Sequence, residues 1–184
     1  VLLFLFLGVS VNAQQLTIGD VSTPENVGSG NLVFTVTLTS PVLGGTQVDY
    51  IFLGTGTATV GNDYTEPFLP HNLTFFGLIP GETQNITIPI INDNTVEAPE
   101  TIIVQLVSPT NGVTLAGTGI GTGTITNDDK ATVTIASVSG PEDGGPITVT
   151  AILDNPVDGG FTVPVSTSDG TATIADNDYT AVTN

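Results

Sequence analysis

Cysteine, methionine, tryptophan and arginine are all missing from these 184 residues, and lysine occurs once, as Lys130. Without cysteine no disulfide can form, so stability must come from a core, from metal or from neighbouring domains. The lack of methionine, with Val1 in first place, leads us to expect an incomplete or trimmed chain. One cation cannot neutralise a row of phosphates, which excludes nucleic-acid binding. Catalysis is poorly served as well. There is no thiol nucleophile and no arginine, and His71 has no triad around it, so it reads as a surface loop residue. Glu97 and Glu100 could be imagined as a glycosidase pair. A sugar cleft lined with aromatics is missing, since aromatics make up only 6% of the chain. We therefore expect no enzyme.

Long hydrophobic runs are also scarce. The one candidate is residues 1–13, VLLFLFLGVSVNA, too short to span a bilayer comfortably, which takes about 20 residues. Its apolar stretch, followed by Val11-Asn12-Ala13, has the form of a secretory signal without its basic start. The mature chain is expected to be secreted or held at the cell surface, with no membrane span.

What the chain does have is acid. Eighteen Asp and Glu residues give a net charge of −17. Disorder is not the consequence, because only 10% of residues are charged and 39% are hydrophobic. Lys130 cannot pair with all these carboxylates, which leaves mobile salt or a divalent cation to screen them.

The sequence repeats itself. Thr17–Glu25 (TIGDVSTPE) returns as Thr134–Glu142 (TIASVSGPE), Ser40–Gly45 (SPVLGG) as Asn155–Gly160 (NPVDGG), and Gly56–Thr65 (GTATVGNDYT) as Gly170–Thr180 with one residue more. Pro24 and Pro141 are 117 residues apart, and Pro41/Pro156 and Asp63/Asp178 are each 115 apart. Such a period is that of a whole domain and not of a solenoid unit. The chain divides into a first copy at 14–129 and the N-terminal half of a second at 130–184.

Strand periodicity fills the first copy. Phe34, Val36 and Leu38 alternate with threonines, as do Val48, Tyr50 and Phe52 with polar residues, and Ile86, Ile88 and Ile90 with Thr87 and Pro89. Pro89 cannot donate to a ladder and predicts an edge or a bulge. Ile102–Val107 is nearly all apolar and suits a central strand. Turn signals at Gly44-Gly45, Pro80-Gly81 and Asn111-Gly112 separate about seven strands, which predicts an all-β sandwich.

Acidic residues collect at strand ends. The densest group lies in Ile90–Glu100 (IINDNTVEAPE), a second is Asn127-Asp128-Asp129 after an apolar strand, and Glu25 and Asp63 flank strands too. Calcium takes six to eight oxygens, which loops at one end of a sandwich can supply. Neither an EF-hand loop nor the nonapeptide calcium repeat is present. Clustered carboxylates also repel, by roughly 4 kcal/mol per pair at 4 Å and an effective dielectric near 20. Asp20, Asp49, Glu66, Glu82, Asp154, Asp158 and Asp169 read as solvated turn residues. Asn72-Leu73-Thr74 and Asn85-Ile86-Thr87 fit the glycosylation sequon, a weak signal in threonine-rich strands.

The succession Gly-Thr-Ala-Thr, Asn-Asp-Tyr-Thr, Pro-Gly-Glu-Thr, Ile-Ile-Asn-Asp-Asn with Glu97 and Glu100, then Thr-Ile-Thr-Asn-Asp-Asp resembles the Calx-β domain. The resemblance implies an immunoglobulin-like Greek-key β-sandwich, in tandem, with the second domain incomplete. It implies Ca²⁺ at the distal loops, held by Glu25, Asp63, Asp93, Glu97, Glu100, Asp128 and Asp129. Asn92 and Asn127 stand where strong binders carry Asp, so weak affinity is expected, toward ~10⁻⁴–10⁻³ M. In the second copy Glu142 and Asp178 match Glu25 and Asp63, with Asp176 nearby, but the set stops there. The functional expectation is an extracellular calcium-binding adhesion or structural module in which calcium stiffens the junction between repeats. The alternatives are a metal-free spacer repeat of a larger adhesin or filament, or an accessory domain of an exported enzyme. Expected partners are calcium, neighbouring repeats and other surface proteins, with self-association through the open strand edges of the second copy.

Overall fold

The computed structural model describes residues 13–26 and 30–183; the signal-like segment falls almost wholly outside them. Packing divides the described residues into two compact units, one of residues 13–26, 30–93 and 98–128 and one of residues 94–97 and 129–183.

The first unit is a sandwich of two sheets. One sheet holds β1 (Gln15–Ile18), β3 (Asn31–Leu38), β6 (Glu82–Pro89) and β8 (Thr114–Leu115), in the order β6-β3-β1-β8. The other holds β2 (Val21–Pro24), β4 (Thr46–Leu53), β5 (Asn72–Phe75), β7 (Glu100–Val107) and β9 (Ile120–Thr126), in the order β2-β9-β7-β4-β5. The proline-ending β6 is an edge strand and the apolar β7 is central, as alternation and proline chemistry dictate.

Each sheet turns one face inward. Leu32, Phe34, Val36 and Leu38 of β3 are fully buried beside Ile86 and Ile88 of β6, and Val104 and Leu106 of β7 are fully buried opposite Phe52 and Tyr50 of β4. The buried core is drawn from residues between Leu16 and Ile125, so the first unit closes its own interior. Gly123 on β9 lets the sheets approach: a Cβ there would lie 2.2 Å from Leu32 Cδ2 and 2.9 Å from Phe34 Cζ.

Register sets which ends coincide. β2 runs parallel to β9, with Pro24 opposite Thr126, and the Glu25 amide extends this ladder to Thr126 O at 3.1 Å. β7 starts with Glu100 opposite Ile125, and β6 ends with Pro89 opposite Asn31. The segments after β2, β6 and β9 and before β7 therefore leave the sandwich at the same end.

The second unit pairs β10 (Val133–Ile135) with β11 (Ala151–Leu153) antiparallel, joined through a 3₁₀ turn at Glu142–Gly144. Ile147, Val149, Val163 and Val165 stand where the first copy has Leu32, Phe34, Val48 and Tyr50. In the second unit they are 44–57% exposed, whereas their counterparts are at most 8% exposed. These apolar side chains of the second unit are thus open to solvent. No helix among the described residues is long and apolar enough to cross a membrane.

Candidate metal centre

Asp63 is placed by an aromatic brace. Its neighbour Tyr64 is buried and stacks on Phe52 at 6.2 Å, while Tyr50 stacks on His71 at 4.9 Å. Burial pushes the Tyr50 and Tyr64 phenols above their ordinary 10; Glu66 adds to both, and Asp63 adds to Tyr64. His71 is not the surface loop residue its isolation suggested. It is only 10% exposed, its Nε2 lies 2.8 Å from Pro67 O, and its ring also meets the edge of Phe52. Its apolar faces are used for packing.

A turn then fixes the Asp63 carboxylate. The Asp63 amide donates to Thr59 O at 3.0 Å, and the Thr59 amide donates back to Asp63 Oδ2 at 2.5 Å. The second repeat reproduces this closure despite its extra residue: the Thr173 amide donates to Asp178 Oδ2 at 2.9 Å. Asp63 and Glu100 offer carboxylate oxygens within 4.8 Å of each other, both half-buried, with Glu100 Oε2 fully enclosed.

Glu25 and Asp128 form the other pair in the first unit, again with oxygens within 4.8 Å. Glu25 is buried, at 5% exposure, and Asp128 is exposed. The Asp93 amide donates to Glu25 Oε1 at 3.4 Å, and Asn26 Nδ2 donates to Asp128 Oδ2. Asp93 itself is exposed and enters by its backbone; its carboxylate belongs to neither pair. Glu97 and Asp129 are half-buried and belong to the second unit. Each lies where the chain crosses between units, Glu97 three residues before Glu100 and Asp129 directly after Asp128. The acids expected as one set are thus organised as two foci, around Asp63/Glu100 and around Glu25/Asp128. Asn26 had escaped attention because a neutral amide carries no charge signal.

Two carboxylates at this spacing repel by roughly 3–4 kcal/mol at an effective dielectric near 20. Burial, as at Glu25, raises the cost of an uncompensated charge. A chain with one lysine and no arginine cannot neutralise both foci with its own side chains. An all-oxygen donor set of carboxylates in loops suits a hard divalent cation.

Several acids read as solvated turn residues are exposed or, in Glu82, half-buried, and are also bonded to backbone or side-chain donors. Glu82 accepts from the Phe76 and Gly77 amides, each at 2.7 Å, Asp20 from the Thr122 amide at 2.8 Å, and Asp49 from Asn72 Nδ2 at 2.7 Å. In the second unit Asp154 accepts from the Thr132 amide at 2.6 Å, which holds its carboxyl below the usual range. Asp169 accepts from Tyr179 Oη at 2.8 Å, an interaction that raises the Tyr179 phenol.

The profile of the Calx-beta domain matches residues 13–137 and again 127–184. Among solved structures, the apo-form Calx CBD1 domain is similar at 24% identity and a TM-score of 0.54, covering 64% of this chain and 100% of that one. The calcium binding domain CBD12 of CALX1.1 is similar at 25% identity and a TM-score of 0.52, covering 62% of this chain and 45% of that one. CBD12 from CALX1.2 gives 25% identity, a TM-score of 0.53, and coverage of 65% and 48%. The chain therefore spans less than half the length of those two CBD12 structures. No curated protein matches it.

Proposed function

Because this chain belongs to the Calx-beta domain family, we propose that it is a calcium-binding module whose ion or ions sit at the end of the first sandwich where β2, β7 and β9 bring their carboxylates. The observation that carries this reading is Glu25, buried yet within 4.8 Å of the Asp128 carboxylate. Such a pair is stable only when its charge is met. Glu25 with Asp128, and Asp63 with Glu100, supply the two foci. Asp129 and Glu97, their near neighbours along the chain, and Asp93 are further ligands in this reading. The Thr59 amide, donating to Oδ2, holds the Asp63 carboxylate in place for the metal.

The module works outside the cytoplasm, as a secreted or surface-held structural or adhesion repeat. The signal-like composition of residues 1–13 supports that setting. Asp128 and Asp129 directly precede Lys130, where the second repeat begins in sequence, so calcium held there stiffens the passage from one repeat to the next. Neighbouring repeats and other surface proteins are its partners, and the open apolar face of residues 130–184 favours self-association.

Calorimetric titration of calcium into residues 14–129, with thermal melts in calcium and in chelator, tests the metal reading. A ligand that binds only the native state raises the melting temperature, with a stabilisation that grows as the logarithm of its concentration relative to Kd. If calcium releases no heat and leaves the melt unmoved, the chain is a metal-free spacer.

A further inference from the structure

The turn between β3 and β4 exists twice. In the first unit Gly45 N–H donates to Val42 O at 2.9 Å, with Gly44 at φ 87°. In the second, Gly160 N–H donates to Val157 O at 3.1 Å, with Gly159 at φ 70°. Both are four-residue turns that need a glycine in their third place, as type II turns do.

In the second unit this turn has a guest. Residues 94–97 pack within that unit, and Val96 bridges in parallel to Val157. The Val96 amide donates to Pro156 O at 3.0 Å, and the Asp158 amide donates to Val96 O at 2.9 Å. The recognised surface is pure backbone: a carbonyl before the central valine and an amide after it.

The first unit presents the matching edge. Pro41 and Leu43 take the places of Pro156 and Asp158, and Leu43 is 99% exposed. Val42 turns its own amide the other way, to Gly77 O at 3.1 Å, so that contact does not block the edge. Among the described residues the Leu43 amide has no hydrogen-bond acceptor, and Pro41 O takes only Gln14 Nε2 at 3.0 Å, an exposed contact that a guest can displace. Asn111 Nδ2 clamps the turn from behind through Leu43 O and Gly45 O, at 2.9 and 2.8 Å. Beside it Phe76, Leu78 and Ile79 are 61–80% exposed, on a loop whose amides are held by Glu82.

We propose that the Pro41–Leu43 edge of the first unit is a docking site for another Calx-beta repeat, which inserts its extended acidic loop of the Asn94–Glu97 kind. The guest's β-branched residue lies parallel to Val42, donates its amide to Pro41 O and accepts from the Leu43 amide. The apolar side chains of Leu43 and its neighbours add contact area. An interface this small is transient, with a dissociation constant on the order of 1 mM. It is independent of the metal reading, since no carboxylate takes part in these bonds.

The test is a titration of ¹⁵N-labelled residues 14–184 with unlabelled residues 14–129. The shorter chain closes its own core, and its loop 94–97 has no 156–158 to bind. The added chain carries Leu43→Pro so that it can only donate. Saturable shifts of the Leu43 and Gly44 amides are expected. Val96→Pro in the added chain, or Leu43→Pro in the labelled one, weakens binding at least tenfold. Proline is favoured in the second place of a type II turn, so Leu43→Pro removes the donor and keeps the turn. An unchanged amide spectrum elsewhere confirms that each variant is folded. No saturable shift at Leu43 and Gly44, equal binding by the Val96→Pro chain, or shifts confined to the open face of residues 130–184 overturns the proposal.

Discussion

The amide of Ile91 donates to the carbonyl of Asp63 at 2.9 Å. Two residues further on, the Asp93 amide reaches Glu25 Oε1. One stretch of backbone after β6 thus touches both carboxylate foci in succession. Whatever orders that stretch acts on both, and carboxylates separated by more than 60 residues in sequence become parts of one end of the sandwich.

Glu25→Gln separates charge from shape. The amide retains an oxygen for the Asp93 N–H, while repulsion from Asp128 disappears. The metal-free protein is expected to gain about 1–3 kcal/mol, and calcium affinity to fall about tenfold. Urea denaturation in chelator and calorimetric titration measure the two effects, which have opposite signs only if the pair is a metal site.

How much of this was legible beforehand varies by element. Alternation placed β3, β4 and β6, Pro89 marked an edge strand, and the apolar run marked β7 as central, because each signal is local. The division of the acids into two foci was not legible. It depends on β2 lying parallel to β9, a pairing of Val21 with Gly123 across 102 residues. The burial of His71 was hidden for the same reason: its stacking partner Tyr50 is on β4, while His71 lies in the segment just before β5. That Glu82 and Asp20 also accept backbone amides was not legible, because a carboxylate that does so has the same sequence signature as one that only faces water.

Tyrosine ionisation provides a pH test. Tyr50 and Tyr64 are both held above the ordinary 10 by burial first and by nearby acids second. The unfolded chain loses these protons first as pH rises. Stability is therefore unaffected by them below pH 10 and falls as pH climbs from 10 toward the folded-state values. Ultraviolet titration of phenolate absorbance should show delayed ionisation, and unfolding should follow at higher pH. Tyr64→Phe removes one of the delayed groups.

Gly123→Ala tests the contact between sheets. The added methyl meets Leu32 and Phe34, two fully buried side chains. Overpacking of this kind costs about 1–3 kcal/mol. The denaturation midpoint should fall with an unchanged slope. A neutral result would mean that the two sheets are packed more loosely at β9 than described.

Glu82→Ala removes one carboxylate that accepts two amides. The loss is expected to be about 2 kcal/mol, in the range for hydrogen bonds to a charged group. Hydrogen exchange should quicken at Phe76 and Gly77 ahead of the core strands. Equal protection at those two amides would show that the loop is held by something else.

The parallel register of Val21–Pro24 on Gly123–Thr126 also decides how the first repeat bears load. Its chain enters through β1, which pairs in parallel with β8, continues into β2 and leaves after β9, so tension applied at the two ends shears β1 against β8 and β2 against β9. Their hydrogen bonds are then strained together and must give way together, whereas a hairpin pulled at its open end gives way rung by rung. In a tandem array each such domain would behave as a stiff link that resists extension up to a threshold.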